Sequence, residues 1–249
     1  MLPLRDATPP RRTPVITLAI VAACCAVFTY ELWVLVQGGL EALDNLFFEF
    51  GAVPADVMAG DPIGLFTSMF LHAGWIHLLG NMLFLWIFAN RVEDRMGRIV
   101  FPIFYVLGGL AAGLTHVLAD PTSDVPAVGA SGAISAVMGA YVVLFPRARV
   151  TSLVFLGFFY QLIDVPAIIV LGFWFVLQLI DGLASLGATT ETGGGVAWFA
   201  HIGGFVAGAV LALPFVLLGR LRPAPPVIVP AATPQPDPTL LPPPAPGRG

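Results

Sequence analysis

Long apolar runs dominate this chain and restrict it to the architectures that a bilayer allows. They cover about residues 14–36, 75–90, 98–119, 131–146, 165–185 and 197–219. Most approach the roughly 20 residues that an α-helix needs to cross the hydrocarbon core. Because 57% of the 249 residues are hydrophobic and 10% are charged, we expect an all-α polytopic membrane protein with a six-transmembrane-helix bundle. The first run lacks the small-residue cleavage site of a signal peptide, so we count it as a helix.

The arginines and the acidic residues lie in alternate connections between these runs. Arginines precede the first run, separate the second from the third, and follow the fourth and the sixth. The other connections, about 37–70, 120–130 and 186–196, contain acidic residues and no basic one. By the positive-inside rule, both termini are expected to be cytoplasmic and the acidic loops to face outward. The net charge of −4 gives no indication of nucleic-acid binding.

The segments outside the runs divide the chain. The first outer loop, about 38–74, is expected to be the longest non-helical segment and to lie partly in the membrane interface. Residues 150–164 are expected to form an interfacial or re-entrant element, with a single long helix as the alternative. We therefore expect a cytoplasmic N-terminal segment 1–13, a membrane domain 14–219, and a Pro-rich disordered cytoplasmic tail 220–249.

Four polar residues of the apolar runs are expected to lie at a similar depth near the outer face. Ser131 begins the fourth run, His201 lies about one turn into the sixth, and His77 and Asn81 share one face of the second. Polar groups that converge inside a membrane indicate function. Stripes of small residues, Gly132, Ala136 and Ala140 on one helix and Gly204 and Gly208 on another, would let the two backbones approach closely.

These residue types suit acyl transfer. Imidazole can take the proton of a serine hydroxyl near neutral pH, and donors are needed for the oxyanion that forms. No Asp or Glu is well placed to orient His201, so we expect a dyad. Taken singly, each residue has a more ordinary role: a membrane serine usually bonds a carbonyl one turn back, and a histidine at a helix end is more often interfacial. Cys24 and Cys25 are adjacent and exclude a disulfide framework.

Four motifs occur in one order along the chain: TSMFLHAGWIHLLGNMLFLW (67–86), RVEDRMG (91–97), GASG (129–132) and AHIGGFVAG (200–208). In these the chain resembles the rhomboid family of intramembrane serine proteases. The resemblance implies cleavage of transmembrane protein substrates in or near the bilayer, with Ser131 as nucleophile and His201 as base. It further implies that His77, Asn81 and the backbone of Ser131 bind the oxyanion and that Gly129 shapes the turn.

Other family features are expected from the same resemblance. His72 has a supporting role, as do Gly132, Gly204 and Gly208, and Phe173, Trp174 and Phe175 form a lateral gate for substrate. No cofactor and no metal is expected, and the partners are transmembrane substrates and the lipid bilayer. A lysine-free, Ala-, Pro- and Arg-rich composition fits a bacterial plasma membrane, with an organellar inner membrane as the alternative. The oligomeric state stays open.

Two departures from the family pattern stand out. The first loop has DPIGLFTSMF (61–70) where many members carry a Trp-Arg pair. Ser135 stands where many members have an aromatic ring against the catalytic histidine, so either another ring, such as Phe199 or Phe205, holds His201 or the dyad is looser. The alternative function is a non-catalytic client-binding protein or transporter. The chain lacks the HExxH motif of a metalloprotease, and its Asp164 and Asp181 lie too far apart for an aspartyl protease.

Overall fold

The computed structural model describes residues 2–8, 10–156, 159–185 and 198–220. Its helices are α1 (Val15–Phe50), α2 (Pro54–Met58), α3 (Gly64–Thr67), α4 (Trp75–Met96), α5 (Val100–Ala119), α6 (Ser131–Leu144), α7 (Ala167–Ser185) and α8 (Trp198–Arg220). A 3-10 turn, Ser68–Phe70, follows α3. The strands are β1 (Leu2–Asp6), β2 (Arg149–Leu156) and β3 (Phe159–Pro166). The predicted disordered tail, apart from Arg220, lies outside the described residues.

Each of the six apolar runs contains a long helix, but the helices differ in their capacity to cross a membrane. By length and composition, α1, α5 and residues Trp198–Leu218 of α8 each qualify among the described residues. Residues Gly64–Phe70 and α4, bent by 93° at their junction, form a fourth candidate if they count as one broken span. The 14 residues of α6 extend only about 21 Å, which is shorter than a bilayer core. The count of six spans therefore stays a prediction.

The first outer loop, expected to be non-helical, is mostly helical, so that part of the prediction was wrong, whereas its expected position in the membrane interface stays a prediction. α1 continues to Phe50 through a kink at Gly39, where φ is 71° and ψ is −166°. Leu, Glu and Ala in the sequence LEALDNLFFEF favour helix after the kink. Two short helices and the 3-10 turn then occupy much of the distance to α4.

A three-stranded antiparallel sheet, in the order β1-β2-β3, corrects the all-α expectation. Asp6 lies opposite Val150 in one ladder, and Arg149 lies opposite Pro166 in the other. The long helix considered for 150–164 is therefore wrong. Val, Ile, Phe and Tyr in this segment favour strand, and the third strand comes from the N-terminal segment, which is remote in sequence.

At one end of the bundle, here called the sheet end, Asp6, Arg91 and Tyr141 join the sheet to the helices, and Glu93 joins two helices. Asp6 forms an ion pair with Arg91 (3.3 Å) and accepts a hydrogen bond from the Tyr141 hydroxyl. Glu93 accepts hydrogen bonds from the backbone N–H groups of Ile16 and Thr17 at 3.0 and 2.8 Å. Because the first N–H groups of a helix have no partner within it, Glu93 caps α1 and ties it to the end of α4.

Helix α6 lies at the centre of the bundle, and its small residues allow close contacts with α8. The residues from Gly132 to Tyr141 are all buried. A Cβ atom on Gly204 would overlap the carbonyl of Gly132, and one on Gly208 would overlap that of Ala136. The glycine stripes therefore bring the α6 and α8 backbones into contact, as such stripes do in membrane helix pairs.

Candidate active site

Ser131 is the first residue of α6 and follows a sharp turn. Gly129 has a φ of +128°, a conformation that glycine adopts at little cost, and its N–H donates to the Ser68 carbonyl at 2.8 Å. The backbone N–H groups at the start of α6 are those that a helix leaves without an internal acceptor, and the helix dipole makes this end positive. The Ser131 hydroxyl therefore lies where a developing negative charge is stabilised.

His201 comes from the first turn of α8 and contacts Ser131. Its Nε2 atom is 2.7 Å from the Ser131 Oγ atom, and the residue is 8% exposed. On the other side of the ring, Nδ1 is 2.6 Å from Oε1 of Gln178 on α7. An amide oxygen accepts a hydrogen bond, so Nδ1 carries the proton and Nε2 is free to accept the serine proton.

His77 and Asn81 supply side-chain donors from one face of α4. The N–H of Ala73 donates to His77 Nδ1 at 3.3 Å, which leaves the ring proton on Nε2. A Cβ atom on Gly129 would lie 2.8 Å from that Nε2, so the His77 ring packs against the turn before Ser131. The Asn81 Nδ2 atom is buried and has no hydrogen-bond partner among the described residues.

Ser131, His201, His77 and Asn81 all line one cavity of about 690 Å³. Its other walls are mainly apolar and come from the second half of α1, the start of α4, residues 125–128 and α6 and α7. An apolar cavity with a few convergent polar groups is typical of a binding site for an apolar ligand. The described residues thus bring together the four polar side chains that the sequence placed at a similar depth.

His72 lies behind His77 and does not line this cavity. It is 1% exposed, its backbone N–H donates to Glu31 Oε1 at 3.0 Å, and its Nδ1 donates to the Phe70 carbonyl at 3.1 Å. Its ring meets the His77 ring edge-on, with centroids 5.3 Å apart. These contacts fix the segment from which His77 projects.

The rings next to His201 are tryptophans. The centroids of Trp174 and Trp198 lie 5.8 and 6.3 Å from that of His201, whereas Phe205, one of the rings considered, packs against Trp174 and Phe175. Ser135 does not reach the histidine, since its hydroxyl donates to the Ser131 carbonyl at 2.6 Å.

The three residues assigned to a gate have different surroundings. Trp174 lines the cavity, Phe173 is 61% exposed, and the Phe175 ring lies 4.7 Å from that of Phe205. Only Trp174 therefore borders the space in front of Ser131 among these three.

Sequence reasoning missed two polar residues near the site, Gln178 and Glu31. Both are buried inside apolar runs, at 7% and 2% exposure. The same signal identified the four predicted site residues, because a polar group inside a membrane helix is costly and indicates a function. The fifth run was predicted to lead outward from Pro166, so the position of Gln178 along it could also have been matched to the expected depth of His201.

The chain is similar to known proteins over much of its length. A family model described as "Rhomboid domain" matches residues 59–218. The chain is 34% identical over 182 residues to "Rhomboid protease GluP" of Bacillus subtilis, a match that covers 72% of this chain and 32% of that protein. It is 30% identical over 151 residues to "Rhomboid-like protein 11, chloroplastic" of Arabidopsis thaliana, covering 58% and 49%. A shorter match, 41% over 76 residues, covers 30% of this chain and 24% of "RHOMBOID-like protein 6, mitochondrial" of the same plant. The chain thus spans between about a quarter and a half of the length of these relatives.

Proposed function

Since this integral membrane protein belongs to the rhomboid family, we propose that it is an intramembrane serine endopeptidase that cleaves transmembrane segments of other membrane proteins. The observation that carries the proposal is the 2.7 Å distance between His201 Nε2 and Ser131 Oγ. That pair lies in a cavity shared with His77 and Asn81. Nucleophile, base and donors in reach of one another are the requirements of acyl transfer.

The reaction follows from the positions of these atoms. Ser131 Oγ attacks the scissile carbonyl carbon while His201 Nε2 takes the hydroxyl proton, and an Oγ–C bond forms. The tetrahedral oxyanion accepts hydrogen bonds from His77 Nε2, Asn81 Nδ2 and the backbone N–H of Ser131. The C–N bond then breaks as Nε2 returns its proton to the leaving amine. A water molecule, activated by His201, hydrolyses the acyl-enzyme and regenerates Ser131.

The membrane orientation is part of the same proposal. Six helices cross the bilayer, both termini are cytoplasmic, and the cavity lies toward the outer face of a bacterial plasma membrane. The distribution of arginines supports this orientation. Substrate enters laterally past α7, whose Phe173 and Val176 side chains are largely exposed on the apolar outside of the bundle.

Labelling with a fluorophosphonate tests the nucleophile most directly. We expect the probe to label purified wild-type protein and not the Ser131→Ala variant. The matched control is Ser152→Ala, because Ser152 is also buried but belongs to β2, so its loss should leave labelling unchanged. Equal labelling of wild type and Ser131→Ala would exclude Ser131 as nucleophile.

Cleavage of a transmembrane substrate by the same variants tests the activity. Ser131→Ala and His201→Ala should each lower kcat by about 10⁴-fold or more. A protein that binds the substrate equally well with and without Ser131, and that neither cleaves it nor reacts with the probe, would instead be a non-catalytic client-binding protein.

A further inference from the structure

We propose that Gln178 is a positioning residue that holds the His201 imidazole in the tautomer and orientation that the reaction needs, and thereby makes the base depend on the placement of α7. This inference rests on the proposed peptidase function. It assigns to a neutral amide the role for which a serine triad uses a carboxylate.

The contact has the geometry of a strong, enclosed hydrogen bond. Gln178 Oε1 lies 2.6 Å from His201 Nδ1, and both residues are more than nine-tenths buried. The two hydrogen bonds of the imidazole ring run in series: the Ser131 hydroxyl donates to Nε2, and Nδ1 donates to the amide oxygen. Removing the acceptor would leave a buried Nδ1–H without a partner, which costs more than the net value of an ordinary hydrogen bond.

The tautomer is the chemical reason for the amide. A neutral imidazole has one protonated nitrogen, and the hydrogen bond that one nitrogen makes sets which nitrogen that is. With the proton on Nδ1, Nε2 can accept from Ser131. With the proton on Nε2, the ring could only donate to the serine and could not act as its base. An acceptor at Nδ1 therefore selects the reactive form.

The contact also joins a third helix to the dyad. Ser131 and His201 come from α6 and α8, whose backbones are held together by the glycine contacts at Gly204 and Gly208. Gln178 comes from α7, and Trp174, four residues earlier and so on the same helix face, packs near the His201 ring. A displacement of α7 would therefore withdraw both the acceptor and the neighbouring ring from His201 while leaving Ser131 in place.

Three substitutions distinguish the loss of the hydrogen-bond acceptor from a change in side-chain shape and from nonspecific damage to the protein. Gln178→Met keeps the length of the side chain and removes the acceptor. Gln178→Glu keeps an acceptor and adds a charge that stabilises the protonated imidazole. Gln161→Met is the control, because Gln161 is exposed on β3. Each full-length variant is purified in detergent and assayed with a transmembrane substrate from pH 5 to 9, with thermal unfolding to verify folding.

We expect Gln178→Met to lower kcat by about 10- to 100-fold with KM changed less than twofold. The misplaced ring slows the chemical step and does not affect substrate binding. Gln178→Glu should recover at least a third of the wild-type kcat at high pH. Its kcat should reach half-maximum at a higher pH than in wild type, because the carboxylate introduced at position 178 makes the protonated His201 ring harder to deprotonate. His77 and His116 lie close enough to His201 to interact with its charge, but they are common to all variants and so do not cause the difference.

The inference would be overturned if Gln178→Met had the same kcat as the wild type. It would also be overturned if Gln178→Met lost activity and Gln178→Glu did not recover it at any pH. If Gln178→Met does not fold, the pH midpoint of Gln178→Glu decides alone, and an unshifted midpoint contradicts the role. A wild-type protein that neither cleaves substrate nor reacts with the phosphonate at Ser131 would refute the proposed function as well. A labelled, active wild type with an equally active Gln178→Met variant refutes only the role of Gln178.

Discussion

The two ends of the helix bundle differ in how completely their buried polar atoms are hydrogen-bonded. At the sheet end, both carboxylate oxygens of Glu93 and both of Asp6 accept hydrogen bonds. At the other end, which holds the cavity and is here called the cavity end, Asn81 Nδ2, His72 Nε2 and Glu31 Oε2 have no partner among the described residues. Buried polar atoms without a partner are costly.

Of these three unpartnered atoms, only Asn81 Nδ2 belongs to a residue that lines the cavity, so it alone is a candidate for contact with a ligand. Side chains whose hydrogen bonds are complete hold elements together, as Glu93 holds α1 to α4. A buried donor that faces a cavity without an acceptor is ready for an acceptor that arrives with the substrate. Asn90 Oδ1 and the Tyr105 hydroxyl are also without a partner in the described part of the chain, and neither residue lines this cavity. Asn90 is therefore the best control for Asn81.

Asn81→Ala should produce the largest effect that separates the two ends. We expect kcat to fall by about 10²- to 10³-fold, as is typical when one oxyanion donor is removed. The unfolding temperature should change little, since the Asn81 side chain makes no hydrogen bond among the described residues. Asn90→Ala, on the same helix and equally buried, should leave kcat within twofold. Equal losses of activity in the two variants would show that Asn81 acts through the packing of α4.

Glu93→Ala should show the reverse pattern. The partly buried N–H of Ile16 and the buried N–H of Thr17 would lose their acceptor, so we expect the free energy of unfolding to fall by about 2–3 kcal/mol. The kcat of the protein that remains folded should stay within threefold. Denaturant titration and substrate assays measure the two quantities. Glu93→Gln, which keeps one acceptor oxygen, should lose about half as much stability, and an intermediate value is the check on the capping role.

Gly129→Ala and Gly97→Ala compare the same change at the two ends. Both glycines have positive φ, +128° and +85°, so each alanine should cost roughly 1–2 kcal/mol of stability from backbone strain. Only at Gly129 would the new Cβ contact His77, since nothing lies within 4 Å of that position at Gly97. We therefore expect Gly129→Ala alone to lower kcat, by about tenfold or more. A similar loss in Gly97→Ala would attribute the effect to strain.

Asp6→Asn is the smallest expected change. The Arg91 side chain and the Tyr141 hydroxyl would exchange a charged partner for a neutral one. Because Arg91 is partly exposed, we expect a loss of only about 1 kcal/mol in the free energy of unfolding and an unchanged kcat. A loss as large as that of Glu93→Ala would show that the sheet, and not only the cap of α1, holds this end together.

Local patterns in the sequence predicted the helices of the six apolar runs, and they did not predict the sheet, which depends on distant partners. The apolar runs and the glycine stripes are read within one helix or between two. The sheet is different, because β2 pairs with a strand about 145 residues earlier in the chain, and no local periodicity reports such a pairing. The apolar segment 150–164 also lacks a clear alternation, although its β-branched and aromatic residues were a usable indication of strand.

The candidate site was predictable to the extent that depth orders residues along helices. Ser131, His201, His77 and Asn81 could be brought to one level by counting from charged ends. Depth does not specify which faces of neighbouring helices meet, so the contact between His201 and Gln178 and the tryptophans around the ring were not foreseen. Only a carboxylate was expected to orient His201, although the oxygen of an amide can accept the same hydrogen bond.

The direct junction of β3 and α7 has a mechanical consequence. α7 begins at Ala167, immediately after the strand, and the Ala167 N–H donates to the Ala148 carbonyl. If α7 tilted about this hydrogen-bonded end, Gln178 would move on a lever arm of about 16 Å, at a rise of about 1.5 Å per residue. A tilt of about 10° around this end would carry the amide roughly 3 Å away from the imidazole, more than a hydrogen bond tolerates. A small rotation at the sheet end would thus break the contact that holds His201.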